Sequence, residues 1–199
     1  MRVDTPWRGV TVGDVRARPL RLIELWSIRS ARVVDVVRDK GVLRGDEAHV
    51  DPVFLPAYRW MIGEMKTRIP GYDGKFPVWA WARKPDMRRA GHRPIKESLV
   101  RIGFRADPER ILVSDFDAWH SILNGHALAL NEREWEASEL WTRAQVEASW
   151  QRVFDLEVLA RADRRWRGHA PPVLQATVGE IRASDVFRVE VFHPRRHLS

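Results

Sequence analysis

The sequence contains no cysteine. Disulfide bonds, thiolate metal sites and thiol nucleophiles are therefore excluded, and the composition is compatible with a reducing compartment. No run approaches ~18 consecutive apolar residues, so we expect no segment to span a membrane. The first residues also lack the uninterrupted apolar stretch of a signal peptide. We therefore expect the protein to act in the cytoplasm.

Several catalytic motifs are also absent. The sequence has no G-x-x-x-x-G-K-[ST] phosphate loop, no G-x-G-x-x-G, no H-E-x-x-H and no G-x-S-x-G. Their absence disfavours P-loop, Rossmann, zincin and α/β-hydrolase chemistry. The chain is either a protein without catalysis or an enzyme whose site is assembled from residues far apart in the sequence.

Charge is plentiful and unevenly distributed. The net charge is +7, with 29 arginines against 5 lysines. Residues 59–105 carry a net +8 and residues 106–160 a net −7. A chain polarised in this way can present a basic face to phosphate groups. A GC-rich genome explains an excess of arginine equally well, and the basic surface is then only solvated.

The 199 residues and 44% hydrophobic content are sufficient for one folded domain. We expect an N-terminal extension over residues 1–19, a single domain over 20–193 and a tail over 194–199. Strands are predicted at both ends of the domain, with helices between them. The arrangement predicts an α+β fold with a mainly antiparallel sheet.

Local signals set the predicted elements. Ser30 is a candidate cap for a helix that stops at Gly41, and Asp51-Pro52 starts a second helix. Asp115 caps a short helix, and the acidic stretch 131–167 is mostly helical. Two hairpins are predicted, one over residues 99–113 around an Asp-Pro turn and one over residues 173–192.

Aromatic and basic residues provide the first candidate site. Trp79 and Trp81 share one face of a strand, and the basic loop 84–96 follows them. They either form a stacking platform for a ligand or fill the core. Trp26 and Arg29 lie just before a predicted helix N-terminus, where they could meet an anion or a nucleotide. Arg29 is otherwise a surface residue beside a capping serine.

Two further groups of polar residues are candidates. Asp115 and His120 are spaced so that the acid could orient the imidazole. Alternatively, Asp115 has only the structural role of a helix cap. Gln175 and Glu180 lie in the penultimate strand, on a surface that a ligand could approach or that solvent simply covers. Residues 46–51 gather acids and a histidine, but we predict no metal site.

Blocks of sequence in a fixed order connect the chain to a known family. They are Leu25-Trp-Ser-Ile-Arg29, Tyr58-Arg-Trp-Met61, Pro77-Val-Trp-Ala-Trp81, Ser114-Asp-Phe-Asp117 and Gln175-Ala-Thr177. Over about residues 22–193 the chain resembles the bacterial family known as domain of unknown function 3841. That resemblance implies no particular activity.

A second likeness is to the ADP-ribosyltransferase fold. It implies binding of NAD or a related nucleotide, with Arg29 on a phosphate and Trp26 or Tyr58 stacked on a base. It places Gln175 or Glu180 at the ribose as the catalytic residue. The Glu-x-Glu or Gln-x-Glu pattern of those enzymes is replaced here by Gln175-Ala-Thr177.

The sequence therefore supports three hypotheses about function. The first is an ADP-ribosyltransferase-like domain that binds an NAD-type nucleotide, and it requires the two chain ends to form neighbouring strands. The second is a basic module that binds nucleic acid through residues 83–101 without catalysis. The third is a protein that contacts a partner through acidic helices in residues 131–157.

Overall fold

The computed structural model describes residues 21–89, 91–92, 94, 96–166, 168–169 and 172–194. The predicted extension over 1–19 and residues 195–199 of the predicted tail lie outside the described residues. No helix among the described residues is long and apolar enough to cross a membrane.

In the part of the chain that the structure describes, eight strands form two antiparallel sheets. The strands are β1 (Ile23–Ser30), β2 (Val42–Leu43), β3 (Val78–Trp81), β4 (Leu99–Ala106), β5 (Leu112–Asp115), β6 (Leu174–Val178), β7 (Ile181–Arg182) and β8 (Val186–Phe192). Six of them make the main sheet in the order β5-β6-β3-β1-β4-β8, and β2 pairs with β7. All the pairings are antiparallel. The predicted α+β fold with a mainly antiparallel sheet is confirmed.

The helices occupy most of the predicted positions. They are α1 (Val33–Lys40), α2 (Leu55–Arg68), α3 (Phe116–Leu123), α4 (Glu132–Ser138), α5 (Arg143–Trp150) and α6 (Leu156–Ala160). Gly41 ends α1 at φ 68°, and the Asp115 side chain caps α3 by accepting from the Ala118 amide. The predicted cap at Ser30 is wrong, because Ser30 belongs to β1 and donates to Glu97 instead.

Both predicted hairpins are wrong. β4 pairs with β1 and β8, whereas β5 pairs with β6. β6 and β8 do not pair, because the chain leaves the main sheet at β7 to join β2 and returns at the opposite side. The predicted contact between the chain ends also needs correction, since β3 lies between β1 and β6.

The two faces of the main sheet carry different cores. One face is aliphatic, with Leu25, Val78 and Ile102 among its buried residues, and α1 packs against it. The other face carries Trp79, which packs with the buried residues of α2 and α3. We call this second face the tryptophan face. The helices α2 and α3 therefore cover part of the surface on which the candidate tryptophans lie.

One row of residues crosses the tryptophan face. Trp26 on β1 lies opposite Trp81 on β3, Trp81 lies opposite Gln175 on β6, and Gln175 lies opposite Ser114 on β5. Facing residues in an antiparallel sheet point to the same side, so these four side chains share one surface. The row joins residues that are far apart in the sequence.

Candidate functional site

The site begins where β1 and β3 separate. Their pairing consists of one residue pair, Trp26 with Trp81. Beyond that pair the Ser27 hydroxyl donates to the Trp79 carbonyl oxygen at 2.8 Å, so a side chain bridges the strands. Arg29 Nε in turn donates to Ser27 Oγ at 3.2 Å. The Arg29 side chain is thereby held at the opening between the two strands.

Arg29 is a half-buried residue whose Nη2 atom is buried, and in the described part of the chain its charge has no counter-charge. Burial lowers the pKa of Arg29, and the nearby Tyr58 opposes that effect. Burial likewise raises the pKa of the Tyr58 hydroxyl, while the positive charge of Arg29 opposes the rise. Among the residues that the structure describes, no carboxylate forms an ion pair with Arg29. A buried charge of this kind is costly unless something compensates it.

Aromatic rings surround Tyr58. Its ring centroid lies 5.9 Å from that of Phe76, 6.1 Å from Trp79 and 5.9 Å from Trp119. Trp79 and Trp119 are closer still, with centroids 4.6 Å apart. Arg29 therefore lies beside a group of aromatic rings, and a ligand there could meet both a positive charge and π-faces.

The row on the tryptophan face continues the site toward the sheet edge. Trp81 contacts Phe116 at 4.9 Å and His92 at 5.2 Å between ring centroids. Gln175 and Ser114 stand beside it and are 5% and 1% exposed. We call the connected set the central cluster; it comprises Arg29, Tyr58, Trp79, Trp81, His92, Ser114 and Gln175.

The central cluster contains unpartnered polar atoms. Five buried side-chain atoms of the described residues have no hydrogen-bond partner, and all five belong to it: Arg29 Nη2, Trp79 Nε1, His92 Nδ1, Ser114 Oγ and Gln175 Nε2. Buried polar atoms are normally paired, so a group of exceptions in one place calls for an explanation. The guanidinium, indole and amide nitrogens of this group are donors, whereas Ser114 Oγ and His92 Nδ1 can also accept.

Trp26, a predicted ligand residue, is occupied by other contacts. It is 8% exposed, and its ring meets Phe187 edge-on at 5.4 Å between centroids. Lys84 Nζ lies 4.9 Å from its centroid. A Cβ at Gly103 would lie 2.9 Å from Trp26 Cζ3, so a glycine is needed beneath the ring. These contacts anchor Trp26 away from the five unpartnered atoms.

Glu180 also lies outside the central cluster. It follows β6 at the end away from Gln175 and forms ion pairs with Arg44 at 2.7 Å, Arg182 at 2.8 Å and Arg110 at 3.8 Å. The hydrogen bond from Arg182 lowers the pKa of Glu180, and Arg44 adds to that effect. The catalytic role predicted for Glu180 stays a prediction.

The other predicted pair divides between two environments. Asp115 is buried, directly after Ser114, whereas His120 is exposed and its Nδ1 lies 2.8 Å from the Phe116 carbonyl oxygen. Their predicted ligand contacts stay untested. Within the described ranges no three histidine or acidic side chains are grouped closely enough to hold a metal ion.

Sequence reasoning missed two members of the central cluster, Ser114 and His92. Ser114 faces Gln175 only because β5 pairs with β6, and no local signal predicts that pairing. His92 belongs to the basic loop 84–96, which stands out in the sequence for its charge. The ring contact of His92 with Trp81 is visible only in the structure.

Comparison with known proteins gives one match. The model of a family described as "Domain of unknown function (DUF3841)" matches residues 24–140, more than half of the chain. The matched region includes every member of the central cluster except Gln175. No curated protein and no solved structure gives a significant match.

Proposed function

The chain belongs to the DUF3841 family, and we propose that it binds an NAD-type dinucleotide through the central cluster, as an ADP-ribosyltransferase-like domain would. The observation that carries the proposal is the set of five buried, unpartnered polar atoms around Arg29 and Gln175. Such atoms are costly to a folded protein, and a bound ligand that pairs with them removes the cost.

The chemistry of the unpartnered atoms favours a ligand that is anionic and rich in acceptors. Two of them are nitrogen donors on Arg29 and Gln175, and the guanidinium brings an uncompensated positive charge. The third nitrogen donor, Trp79 Nε1, lies close enough to the Tyr58 hydroxyl to lower the pKa of Tyr58. A dinucleotide supplies phosphate oxygens, ribose oxygens and ring nitrogens as acceptors. Arginine is the side chain best matched to phosphate geometry.

The group of aromatic rings around Tyr58 supports the same class of ligand. Tyr58 and Trp79 lie beside Arg29 with centroids 6.1 Å apart, and a planar base or nicotinamide ring can stack on such faces. Both candidate rings have neighbours: Phe187 and Lys84 contact Trp26, and Phe76, Trp79 and Trp119 contact Tyr58. We assign stacking to Tyr58 rather than Trp26, because Tyr58 is the ring near the charge of Arg29. Gln175 and Ser114 would meet a ribose or amide group.

The span of the site suits an extended ligand. Neighbouring strands lie about 4.8 Å apart, so β1 and β6 are about 10 Å apart where Trp26, Trp81 and Gln175 align. Arg29 is three residues further along β1, about 10 Å beyond that row, and this odd offset places its side chain on the opposite side of β1 from Trp26. A ligand joining Arg29 to Gln175 must therefore be longer than a single ring.

The proposal covers binding, and transfer of ADP-ribose is a separate question. A ribose oxocarbenium-like transition state needs a nearby negative charge. Gln175 is neutral, and Glu180 is engaged by three arginines. Gln175 therefore remains the candidate at the ribose for orientation, and a catalytic role for either residue stays a prediction.

The nucleic-acid alternative is less well supported, because several basic residues of the segment 83–101 form ion pairs with carboxylates. Arg88 pairs with Asp86 at 2.9 Å, and Lys84 and Arg101 both pair with Glu190 at 3.2 and 2.8 Å. These pairs reduce the charge available for phosphates along a strand of nucleic acid. The alternative stays a prediction that the salt dependence of binding can test.

The direct experiment is calorimetric titration of the full chain with NAD, ADP-ribose and ATP. We expect NAD to bind and Arg29→Gln to weaken it tenfold or more, since a hydrogen bond to a charged group contributes about 1.5–3 kcal/mol. Arg105→Gln is the matched control, because Arg105 is exposed on the same sheet and pairs with Glu24 at 3.0 Å. Failure of NAD to bind, or equal binding by both variants, would refute the proposal.

A further inference from the structure

A cavity of about 180 Å³ lies beside the edge strand β5, and none of the residues that line it belongs to the central cluster. Its wall includes residues of α3, α4 and α6, together with Arg165, Trp166, Gly168, His169 and Pro172. An apolar protein cavity of about 150 Å³ is known to hold a benzene ring, so this one has room for a single-ring ligand. The residues used in the following argument are Asp115, Asp117, Trp135, Arg165, Trp166 and His169.

Two tryptophans form an aromatic wall of the cavity. The ring centroids of Trp135 and Trp166 are 5.5 Å apart and their planes are inclined by 38°. His126 supports Trp135 from behind at 5.5 Å. Tryptophan faces attract cations more strongly than those of the other aromatic side chains. The wall therefore suits either a planar group or a positively charged one.

Two carboxylates in the cavity wall favour a positively charged ligand over an uncharged planar one. Asp117 Oδ2 accepts from the backbone amide of His169 at 2.6 Å and lies 2.7 Å from His169 Nδ1. Asp115 is 6% exposed and accepts from the Ala118 amide at 2.9 Å. In the part of the chain that the structure describes, no lysine, arginine or histidine forms an ion pair with Asp115. One buried carboxylate of the wall is thus left without a cation.

The electrostatics of Asp115 agree with this geometry. Burial raises the pKa of Asp115 and the neighbouring charge of Asp117 raises it further, while hydrogen bonds from the Ala118 and Asp117 amides and the charge of His169 oppose the rise. Bringing a cation to the carboxylate would relieve both effects. Arg165 also lines the cavity, but its side chain is exposed and water screens its charge.

The wall is held in place without a ligand. A Cβ at Gly168 would lie 2.3 Å from Asp117 Oδ2, so the backbone at residue 168 approaches the carboxylate as closely as only glycine permits. Asp115 is fixed by its role as the cap of α3. A preformed site loses less conformational entropy on binding.

We propose that this cavity binds a compact organic cation, such as an amidinium, guanidinium or ammonium group on a small frame, between Trp135 and Trp166 and against Asp115. The site is separate from the proposed nucleotide site and does not depend on it.

Three probes of nearly the same shape test the charge requirement on the full chain: benzamidine, benzamide and benzoate. We expect benzamidine to bind about tenfold or more tightly than neutral benzamide, and benzoate not to bind, in calorimetric and tryptophan-fluorescence titrations. Equal binding of benzamidine and benzamide would show an apolar hollow only and overturn the proposal. Absence of benzamidine binding would overturn it as well.

Asp115→Asn tests the assigned carboxylate. Asparagine caps helices as well as aspartate, so α3 should be retained and circular dichroism should be unchanged. We expect benzamidine affinity to fall about tenfold or more. Asp86→Asn is the control, because Asp86 lies outside the cavity beside Arg88. Unchanged benzamidine affinity in Asp115→Asn would overturn the assignment, and NAD binding should be the same in both variants.

Discussion

Gln175 and Ser114 face each other across β6 and β5, and both Gln175 Nε2 and Ser114 Oγ are buried without a hydrogen-bond partner. An unsatisfied buried polar group costs about 1–3 kcal/mol. Two such groups side by side destabilise the unliganded fold. Sites that bind ligands commonly trade stability for function in this way.

That trade gives a prediction for Gln175→Met. Removing the unpartnered amide should raise the free energy of unfolding by about 1 kcal/mol and weaken NAD binding. Urea denaturation and calorimetry measure the two effects. Thr177→Val is the control, because Thr177 is on the same strand and already donates to the Leu112 carbonyl oxygen at 3.4 Å. A loss of stability in Gln175→Met would mean that the amide is paired in the folded protein.

The pH dependence of stability should identify Asp115. Burial raises its pKa in the folded protein, so the folded state holds this proton more tightly than the unfolded state does. The contribution of Asp115 is therefore greatest in acid and is lost as pH rises through the raised pKa. Relative to the wild type, Asp115→Asn should gain stability as the pH rises from the ordinary pKa of an aspartate through the raised pKa of Asp115. A parallel pair of stability curves would contradict the raised pKa.

Glu180→Gln separates a structural role from a catalytic one. The carboxylate joins Arg44 after β2 to Arg182 in β7, and its pKa is lowered. Its contribution to stability is thus present above its ordinary pKa and lost as pH falls. At neutral pH we expect a loss of about 1 kcal/mol and unchanged NAD affinity. A large loss of NAD affinity with little loss of stability would return Glu180 to the site.

Two glycine substitutions should have opposite effects on stability. Gly103→Ala should destabilise by about 1–3 kcal/mol, because its Cβ would lie 2.8 Å from Phe187 and 2.9 Å from Trp26. Gly63→Ala lies on the exposed side of α2 with no atom within 4 Å and should stabilise by about 0.5–1 kcal/mol. Thermal or urea denaturation measures both. Equal effects would contradict the packing of Trp26 over β4.

The nucleic-acid alternative has its own test. Arg88→Glu with Arg89→Glu should abolish salt-sensitive binding of single-stranded RNA or DNA if the basic segment is an interface. Arg133→Glu with Arg161→Glu makes the same change of charge on the helical part and serves as control. Fluorescence anisotropy measures both. Indifference to the Arg88 and Arg89 changes would remove the alternative.

Local chemistry made several elements predictable from the sequence. Asp51-Pro52 and Asp115 cap the turns or helices that follow them, because each carboxylate accepts from a nearby backbone amide. Gly41 ends α1 because its φ of 68° suits glycine. These signals depend on neighbours in sequence, so a single chain reveals them.

Strand pairing and the site depend on distant residues and could not be predicted in the same way. Leu112–Asp115 pairs with a strand near the end of the chain rather than with the strand just before it. The sequence left Arg29 open as a ligand-binding residue or as a surface residue beside a capping serine, and only the structure shows its hydrogen bond to Ser27 where β1 leaves β3. The resemblance to a family identified the residue blocks but did not indicate which strands or side chains they would contact.

The single residue pair between β1 and β3 has a mechanical consequence. The main sheet consists of two three-stranded parts, β5-β6-β3 and β1-β4-β8, joined by the Trp26–Trp81 pair and the Ser27–Trp79 hydrogen bond. A ligand that binds Arg29 on one part and Gln175 on the other would hold the two parts together. We then expect slower amide exchange in β1 and β3 when the ligand is bound.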